Sequence, residues 1–539
     1  KKGEDIYYDR LTDRSHEAYK YRSYYNPVNG IFIDSAIIKN YLINGTNILA
    51  VQVHNDSVKG SDLSFLMNLF NLDERNYNYY DSQFRYYRQI DLESSKFPIV
   101  FIETDEYDIP VKNVRVQATM SIIDNNTGVN KITDPISFTS RISIERRGES
   151  SADFPKMSYN IETQDELGNN LDVELMGMPA DNDWVLFSSF ADKSLIRTEL
   201  TYLLFARMDH YAPRTRYCEL IYNGQYMGLY YFMEKIKRGK DRVDVAKRDT
   251  TNPEEGGFIF KYDKPTRKAI QFVYPKKDEV TTKEKTYITN FVKEFENVLK
   301  SDKFLDLEEG YRKYVSGKSL VDYVIINELS KNCDAYLFST YFHKNKNSKD
   351  GRIKYGPPWD YDIAYGDAVF QEGNLTSKWQ FEFNTDLQIK LLFRDTTLTH
   401  ALSRRWWTLR SNLLSNENIM HLIDSLCTDI YESRVLNFQV WPIIDKYLFY
   451  PPYLSVSYDN EIQITKDWIT KRLKWIDENI DNIYYPLDIS APTFAYSTTA
   501  IDLYPNPFNN YLKLRLIGES GKYDISIAGM DGKIYLKKS

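Results

Sequence analysis

The sequence predicts an α+β protein whose main domain has strands in its front half and helices in its back half. Up to about residue 233, short apolar runs such as Phe97 to Ile102 and Ile142 to Glu145 are typical of strands. Between residues 283 and 482, five segments instead carry apolar residues at helical spacing. A length of 539 residues is enough for two to four domains.

Composition shifts predict three domains. They are 1–95, an incomplete β-domain; 96–486, the main α+β domain; and 487–539, a small β-unit. In the first, Asn47 to Asn55 alternates as a strand after the turn Asn44-Gly45, and Asp62 to Leu66 starts another strand. The last follows the linker-like Ser490-Ala491-Pro492-Thr493, and its strands are expected at 511–516, 523–527 and 533–536.

Within the main domain, the first predicted helix runs from Ser194 to about Met208, with Asp192 or Ser194 as its N-cap. Next, Arg216 to Tyr222 and Tyr226 to Met233 are predicted to form a hairpin across Asn223-Gly224-Gln225, since Asn-Gly favours a tight turn. Five further helices are expected, at 283–300, 318–331, 397–414, 416–434 and 462–482.

Charge and cysteine content exclude several classes of protein. The net charge of −7 argues against nonspecific binding of nucleic acid. No apolar run approaches the ~20 residues of a membrane span, so no transmembrane segment is expected. The three cysteines, Cys218, Cys333 and Cys427, are far apart and odd in number, which indicates neither a disulfide framework nor a zinc site.

Two acidic clusters are the strongest candidates for chemistry. Asn332-Cys333-Asp334 and Trp359-Asp360-Tyr361-Asp362 flank two predicted strands, Tyr341 to Lys344 and Arg352 to Tyr355, which the polar turn Asn345 to Gly351 joins. A hairpin there brings Asp334 and Asp360 toward each other. Phosphoryl transfer needs such a pair, because one carboxylate meets the attacking hydroxyl and another binds Mg²⁺.

Asp360 and Asp362 alternate with the bulky Trp359 and Tyr361, so both acids are expected on one face of a buried segment. Two carboxylates 4 Å apart repel by roughly 4 kcal/mol at an effective dielectric near 20. A divalent cation relieves this repulsion, and hard oxygen ligands suit Mg²⁺, Mn²⁺ or Ca²⁺. The alternative is that acids beside Gly, Pro and Asn only fill turns.

Eight sequence words between about residues 145 and 370 resemble, in order, those of the CotH (spore-coat protein H) kinase family in the long secreted form of Bacteroidetes-type bacteria. They are Arg147-Gly148-Glu149-Ser150-Ser151, Phe154-Pro155-Lys156, Asp183-Trp184-Val185-Leu186, Asp192-Lys193-Ser194-Leu195-Ile196-Arg197, Asn223-Gly224-Gln225-Tyr226-Met227-Gly228, Glu234-Lys235-Ile236-Lys237-Arg238, Asp241-Arg242-Val243-Asp244 and Trp359-Asp360-Tyr361-Asp362.

This resemblance implies an atypical protein-kinase-like fold that uses ATP and a divalent metal to phosphorylate Ser or Thr of secreted or coat proteins. By position, Asp334 matches the catalytic Asp and Asp360 the metal-binding Asp. From its place beside Asp360, Asp362 is expected to be a second metal ligand. Four further residues fall in motifs that the family places near the nucleotide: Arg147, Ser150, Lys156 and Glu234.

The chain also departs from the family pattern. Ser339 stands where some members carry Asn, and Met157 replaces the second Lys of a Phe-Pro-Lys-Lys word. Two alternatives to a kinase therefore stay open. One is a surface binding or structural protein that keeps the kinase-like fold as a scaffold. The other is metal-dependent hydrolysis at the acidic cluster without ATP.

Both flanking domains carry resemblances of their own. Residues 1–95 resemble part of a galactose-binding-like β jelly roll. The word Tyr504-Pro505-Asn506-Pro507 resembles the opening of the type A sorting domain of the type IX secretion system, which implies a small β-sandwich-like domain. That resemblance implies the type IX machinery as a partner and export across the outer membrane, to the cell surface or the medium.

Overall fold

The computed structural model describes residues 87–105, 110–125, 128–264, 266–383, 387–446, 448 and 451–483, together with the backbone of four strands in the tail. The chain divides into two compact units, Lys1–Tyr485 and Pro486–Ser539. The strands predicted at 47–55 and 62–66 lie outside the described residues, so the partial jelly roll stays a prediction. So does the division at residue 95.

The first part of the main unit in sequence contains a closed barrel of seven strands, in the order β10-β11-β9-β6-β5-β3-β2. These strands are β2 (Ile99–Thr104), β3 (Val116–Ile123), β5 (Phe138–Arg147), β6 (Ser158–Gln164), β9 (Asp183–Phe187), β10 (Thr215–Tyr222) and β11 (Gln225–Glu234). All neighbours are antiparallel except β2 and β10, whose parallel pairing closes the barrel. Two short pairs accompany it: β1 (Ser94–Ser95) with β4 (Asn130–Lys131), and β7 (Val173–Leu175) with β8 (Met178–Asp181).

The predicted hairpin is confirmed as β10 and β11. Asn223 and Gly224 form its two-residue turn, and both have positive φ, 46° and 76°. Mirror-image turns of this kind match the twist of the flanking strands, and Asn-Gly adopts them at little cost. Nearly every residue of β11 is buried, because helix and barrel cover its two faces.

Among its described residues, the main unit also contains nine helices and a second, four-stranded sheet. The sheet has the order β13-β12-β14-β15, with β12 (Phe258–Asp263), β13 (Thr266–Tyr274), β14 (Thr340–Lys344) and β15 (Ile353–Tyr355). The helices in the described part of the chain are α1 (Arg197–Ala206), α2 (Thr282–Lys300), α3 (Gly317–Ser330), α4 (Gln380–Phe383), α5 (Leu387–Leu392), α6 (Thr396–Arg410), α7 (Asn416–Asp429), α8 (Tyr431–Val440) and α9 (Tyr458–Asn479). The predicted α+β class is confirmed. Strands predominate up to Glu234 and helices after it, although α1 precedes β10 and the strands β12 to β15 also come after Glu234.

The sequence did not predict the short helices α4 and α5, and two further helix details differ from the prediction. The N-cap of α1 is Ile196, without a side-chain bond, whereas Asp192 accepts the backbone N–H of Arg197 and ion-pairs with its side chain. The predicted helix at 416–434 is two helices, because Ile430 leaves helical geometry (φ −92°, ψ 8°) between α7 and α8.

Two hydrophobic cores support this arrangement. One fills the barrel and is capped by Trp441, just after α8, whose indole N–H donates to the carbonyl of Met227. The other lies among the helices and the four-stranded sheet. None of the described helices is long and apolar enough to cross a membrane.

The tail contains four described strands in two antiparallel pairs: β16 (Ala500–Tyr504) with β17 (Lys513–Ile517), and β18 (Ile525–Ala528) with β19 (Ile534–Lys538). Three of them fall on the stretches that the sequence predicts as strands. The sandwich arrangement and the sorting role stay predictions.

Candidate active site

The predicted acidic hairpin exists, and it brings the two clusters together. β14 and β15 pair antiparallel with Phe342 opposite Tyr355. Asp334 follows α3 and precedes this hairpin, while Asp360 follows β15. The two carboxylates are close enough for the charge of Asp360 to raise the pKa of Asp334.

The loop that carries Asp334 is tied to the backbone of Asp360. Helix α3 ends at Ser330, and Lys331 turns the chain with a left-handed φ of 46°. The side chain of Asn332 then accepts the N–H of Asp334 (3.1 Å) and donates to the carbonyl of Asp360 (3.0 Å). This amide therefore fixes the spacing between the two acidic clusters.

Burial is the main reason that the pKa of Asp334 rises to about 6. The ammonium of Lys264, 4.0 Å from its Oδ2, lowers the pKa, while Asp360 and Asp263 raise it. A carboxyl with a pKa near 6 is ionised at neutral pH and still accepts a proton readily, which suits a general base.

Asp360 is held in a left-handed conformation, with φ 69°. Its Oδ2 accepts the hydroxyl of Ser339 at 3.3 Å. Burial raises the pKa of Asp360, and the guanidinium of Arg147 opposes that rise. Arg147 lies 5.0 Å from the ring of Trp359, so the last residue of β5 closes one side of the site.

Asp362 is buried two residues further on. Burial raises its pKa, and Asp360 and other nearby carboxylates add to that rise. The expected strand-like alternation of Asp360 and Asp362 is wrong, because the segment from Gly356 to Asp362 is not a strand and turns at Asp360. The two acids nevertheless repel each other, as predicted from their proximity.

Sequence reasoning missed three residues of this site: Lys261, Asp263 and Lys264. They lie at the end of β12, which pairs with β14 so that Lys261 faces Tyr341. This register places Asp263 beside Ser339, whose backbone N–H donates to its Oδ1 at 3.4 Å. The sequence signal that could have found them is the mainly apolar run from Phe258 to Tyr262, which is followed by charged residues. It does not show that this strand pairs with β14, because the two strands are distant in sequence.

Three cationic side chains lie close to the carboxylates of the site. Lys261 forms an ion pair with Asp263 at 2.6 Å, and the ammonium of Lys264 lies 5.1 Å from the ring of Phe338. With Arg147 they provide three positive charges beside the four carboxylates of Asp263, Asp334, Asp360 and Asp362. Such an arrangement can receive a phosphate chain on one side and a cation on the other.

The donor set fits a divalent cation of the Mg²⁺ type. In the part of the chain that the structure describes, no three His, Cys, Asp or Glu side chains are arranged as a complete metal site. Mg²⁺ in phosphoryl-transfer sites, however, takes most of its ligands from phosphates and water and needs only one or two carboxylates. Asp360 and Asp362 offer such oxygens. Burial raises the pKa of each carboxyl and so disfavours its ionised form, and a bound cation would oppose that effect.

The motif that begins at Arg147 forms a tight connection out of β5. Gly148 has φ 114°, and a Cβ there would lie 2.7 Å from the backbone N of Ala152. Ser150 begins the 3₁₀ turn Ser150–Asp153, and its side chain lies outside the described residues. Only glycine fits at position 148 without moving the turn beside Arg147.

Replacing Gly148 by Ala should therefore destabilise the protein more than the same change at Gly168. Gly168 also has a positive φ, 81°, but its Cβ would meet nothing within 4 Å. We expect roughly 1 kcal/mol for Gly168→Ala and at least 2 kcal/mol for Gly148→Ala, because the latter adds a clash to the backbone cost. Urea unfolding of both variants measures the difference. Equal losses would contradict the close packing at Gly148.

Lys156 and Glu234 lie in separate networks from the acidic site. Lys156 is 1% exposed, its ammonium donates to Asn437 (2.8 Å) and to the carbonyl of Leu229, and burial lowers its pKa to about 7. Glu234 is fully buried and pairs with Arg214 at 2.8 Å. The structure thus brings together Arg147, Asp334, Asp360 and Asp362. The nucleotide contacts of Arg147, Ser150, Lys156 and Glu234 all stay predictions.

The model of one protein family, described as CotH kinase protein, matches residues 144–476. The match covers more than half of the chain and includes every residue of the acidic site. No curated protein matches the chain.

Proposed function

The chain belongs to the CotH kinase family, and from that membership we propose that it is an atypical protein kinase that transfers the γ-phosphate of ATP to Ser or Thr of surface or secreted proteins. The single observation that supports this most is the Asp334 and Asp360 pair, held by Asn332 between cations. The word Tyr504-Pro505-Asn506-Pro507 supports export by the type IX machinery.

In this proposal Asp334 orients the acceptor hydroxyl and takes its proton. The hydroxyl oxygen forms a bond to the γ-phosphorus while the bond from that phosphorus to the β,γ-bridging oxygen breaks. ADP leaves, and the proton passes from Asp334 to solvent. A carboxylate with a pKa of about 6 performs this step near neutral pH without staying protonated.

Arg147 and Lys264 are the cations best placed to stabilise negative charge on the transferred group. Asp360 and Asp362 would hold the divalent cation, Mg²⁺ or in its place Mn²⁺ or Ca²⁺. When bound, that cation would neutralise phosphate charge. Ser339 would orient Asp360 through the hydrogen bond that its hydroxyl donates.

The test is transfer of label from γ-labelled ATP to dephosphorylated casein, with Mg²⁺, across pH 5 to 8. We expect label on Ser or Thr, and an initial rate that rises as the pH passes about 6, because Asp334 acts only when ionised. Omitting Mg²⁺ in the presence of a chelator is the control. A rate that is flat across this range, or equal with chelator, contradicts the assigned roles.

A catalytically weak or inactive kinase-like scaffold is the second candidate. Ser339 favours it, because a hydroxyl is a poorer metal ligand than the Asn that some relatives carry, and the complete burial of Lys156 favours it also. Titration with ATP and Mg²⁺ distinguishes the two candidates. Ligand at 100 times its Kd stabilises the folded state by about 2.7 kcal/mol and raises the melting temperature. No rise, together with no transfer, would favour the scaffold.

A further inference from the structure

The segment Val369 to Lys378, which we call the anchored loop, is fixed by side chains that bind its backbone carbonyls. Lys331 donates to the carbonyls of Glu372, Leu375 and Ser377 at 2.9, 2.9 and 2.7 Å. Arg472 of α9 donates to those of Thr376 and Lys378 at 3.0 and 2.7 Å. Trp468 donates to that of Asn374 at 2.8 Å. The loop has almost no regular structure, yet its course is determined residue by residue.

Three residues of the anchored loop adopt left-handed backbone conformations although none is glycine. They are Gln371, Glu372 and Lys378, with φ of 49°, 52° and 64°. Each such residue costs of order 1–3 kcal/mol and persists only where the surroundings enforce it. Strain held in this way is common at binding and catalytic sites.

The anchored loop lies against the loop that carries Asp334. Lys331, its main anchor, is only three residues before Asp334. A Cβ on Gly373 would lie 3.5 Å from the sulfur of Cys333, the residue next to Asp334. The same sulfur lies 3.8 Å from the carbonyl oxygen of Ile363. The chain that leads from Asp362 to the anchored loop therefore also passes close to Cys333.

The anchored loop leaves apolar side chains partly exposed to solvent. Val369, Phe370 and Leu375 are 47%, 42% and 42% exposed. Lys378 and Glu372 of the same loop form an ion pair at 2.9 Å. Exposed apolar and charged side chains on one loop whose backbone is held by hydrogen bonds are compatible with a surface that contacts a partner.

We propose that the anchored loop is a docking surface for the acceptor protein, and that it binds an apolar side chain of the acceptor segment within a few residues of the phosphorylated Ser or Thr. This inference rests on the proposed function. An extended segment advances about 3.3 Å per residue, so a residue two or three positions from the acceptor hydroxyl at Asp334 reaches the neighbouring loop. Lys331 and Arg472 are positioning residues in this arrangement.

The test compares two Ser peptides that are identical except at the positions two and three residues on either side of the Ser, which hold Leu in one and Gln in the other. Burying one Leu side chain is worth about 1.5–3 kcal/mol. We therefore expect the wild-type protein to have a KM at least about tenfold lower for the Leu peptide.

Two double variants locate the preference. In Val369→Ser/Leu375→Ser, the KM for the Leu peptide should rise to that of the Gln peptide while kcat changes little. Leu454→Ser/Val456→Ser is the matched control, since these residues are 50% and 74% exposed, and it should keep the preference. If Val369→Ser/Leu375→Ser has a lower melting temperature than the wild-type protein, the single variants Val369→Ser and Leu375→Ser are measured in its place.

The outcomes separate the two proposals. Equal KM values for the two peptides, or a preference that survives Val369→Ser/Leu375→Ser, would overturn the docking surface while the kinase proposal stands. A preference lost equally in the control pair would also overturn it. No transfer to either peptide by the wild-type protein, or to casein, would overturn the proposed function and the docking surface with it.

Discussion

Asp334→Asn should reduce phosphate transfer about 100- to 10,000-fold and at the same time raise the melting temperature. The loss follows from removing the general base. The gain in stability follows from the pKa of Asp334, which burial is the main factor in raising from 3.8 to about 6. Above pH 6 this carboxyl is ionised, and its buried charge lowers the free energy of unfolding. Asn keeps the shape and carries no charge.

The sign of the pH dependence makes this prediction stringent. Because the pKa of Asp334 is higher in the folded protein than in the unfolded chain, protonation of this carboxyl favours the folded state. That stability is fully present below pH about 4 and is lost as the pH rises through about 6. Asp334→Asn should thus gain roughly 1–3 kcal/mol at pH 7.5 and little at pH 4. Calorimetry at both values measures this.

Asp350→Asn is the matched control for this prediction. Ion pairing with Arg352 helps to hold the pKa of Asp350 below its usual value, and the residue lies in the turn between β14 and β15. We expect no gain in its melting temperature and no loss of transfer. If Asp334→Asn instead retained the wild-type rate, Asp334 would not be the base.

Arg197→Leu should cost about 3–5 kcal/mol of the free energy of unfolding, the largest loss that we expect from a single substitution. Arg197 is fully buried in α1 and faces three buried carboxylates, those of Asp192, Glu461 at 2.8 Å and Asp367 at 3.5 Å. Without the guanidinium, these acids would be left as uncompensated buried charges. Urea unfolding at pH 7 measures the loss.

A surface arginine is the control for that experiment. Arg352 pairs with Asp350 at 2.6 Å, but both side chains are substantially exposed, so Arg352→Leu should cost less than about 1 kcal/mol. Lowering the pH toward 5 should recover part of the stability of Arg197→Leu, because unpaired buried carboxyls have raised pKa values and become neutral. A loss that does not depend on pH would indicate a packing effect rather than a charge effect.

The sequence was sufficient for features that depend on local spacing. The turn at Asn223-Gly224 and the helix that leads to Asp334 were both predicted, because turn residues and apolar periodicity act over a few positions. The approach of Asp334 and Asp360 followed from one short hairpin between them.

Features that depend on distant pairing could not be predicted in this way. Asp263 and Lys264 join the site only because β12 pairs with β14, and no local pattern gives that register. The burial of Lys156 depends on Asn437 in α8, far along the chain. The N-cap of α1 was missed for a related reason, since Arg197 draws Asp192 into a buried ion pair.

The parallel pairing of β2 with β10 also bears on how the protein folds. Ile99 of β2 pairs with Glu219 of β10, and the barrel strands β3, β5, β6 and β9 all lie between these two residues in the sequence. Contacts between such distant residues slow folding, because the entropy of loop closure is lost before the pairing forms. Until closure, β2 and β10 are open edges that can pair with other molecules. The pairing of β2 with β10, rather than the formation of the helices, should therefore set the refolding rate. It should also set the protein concentration above which aggregation competes with refolding.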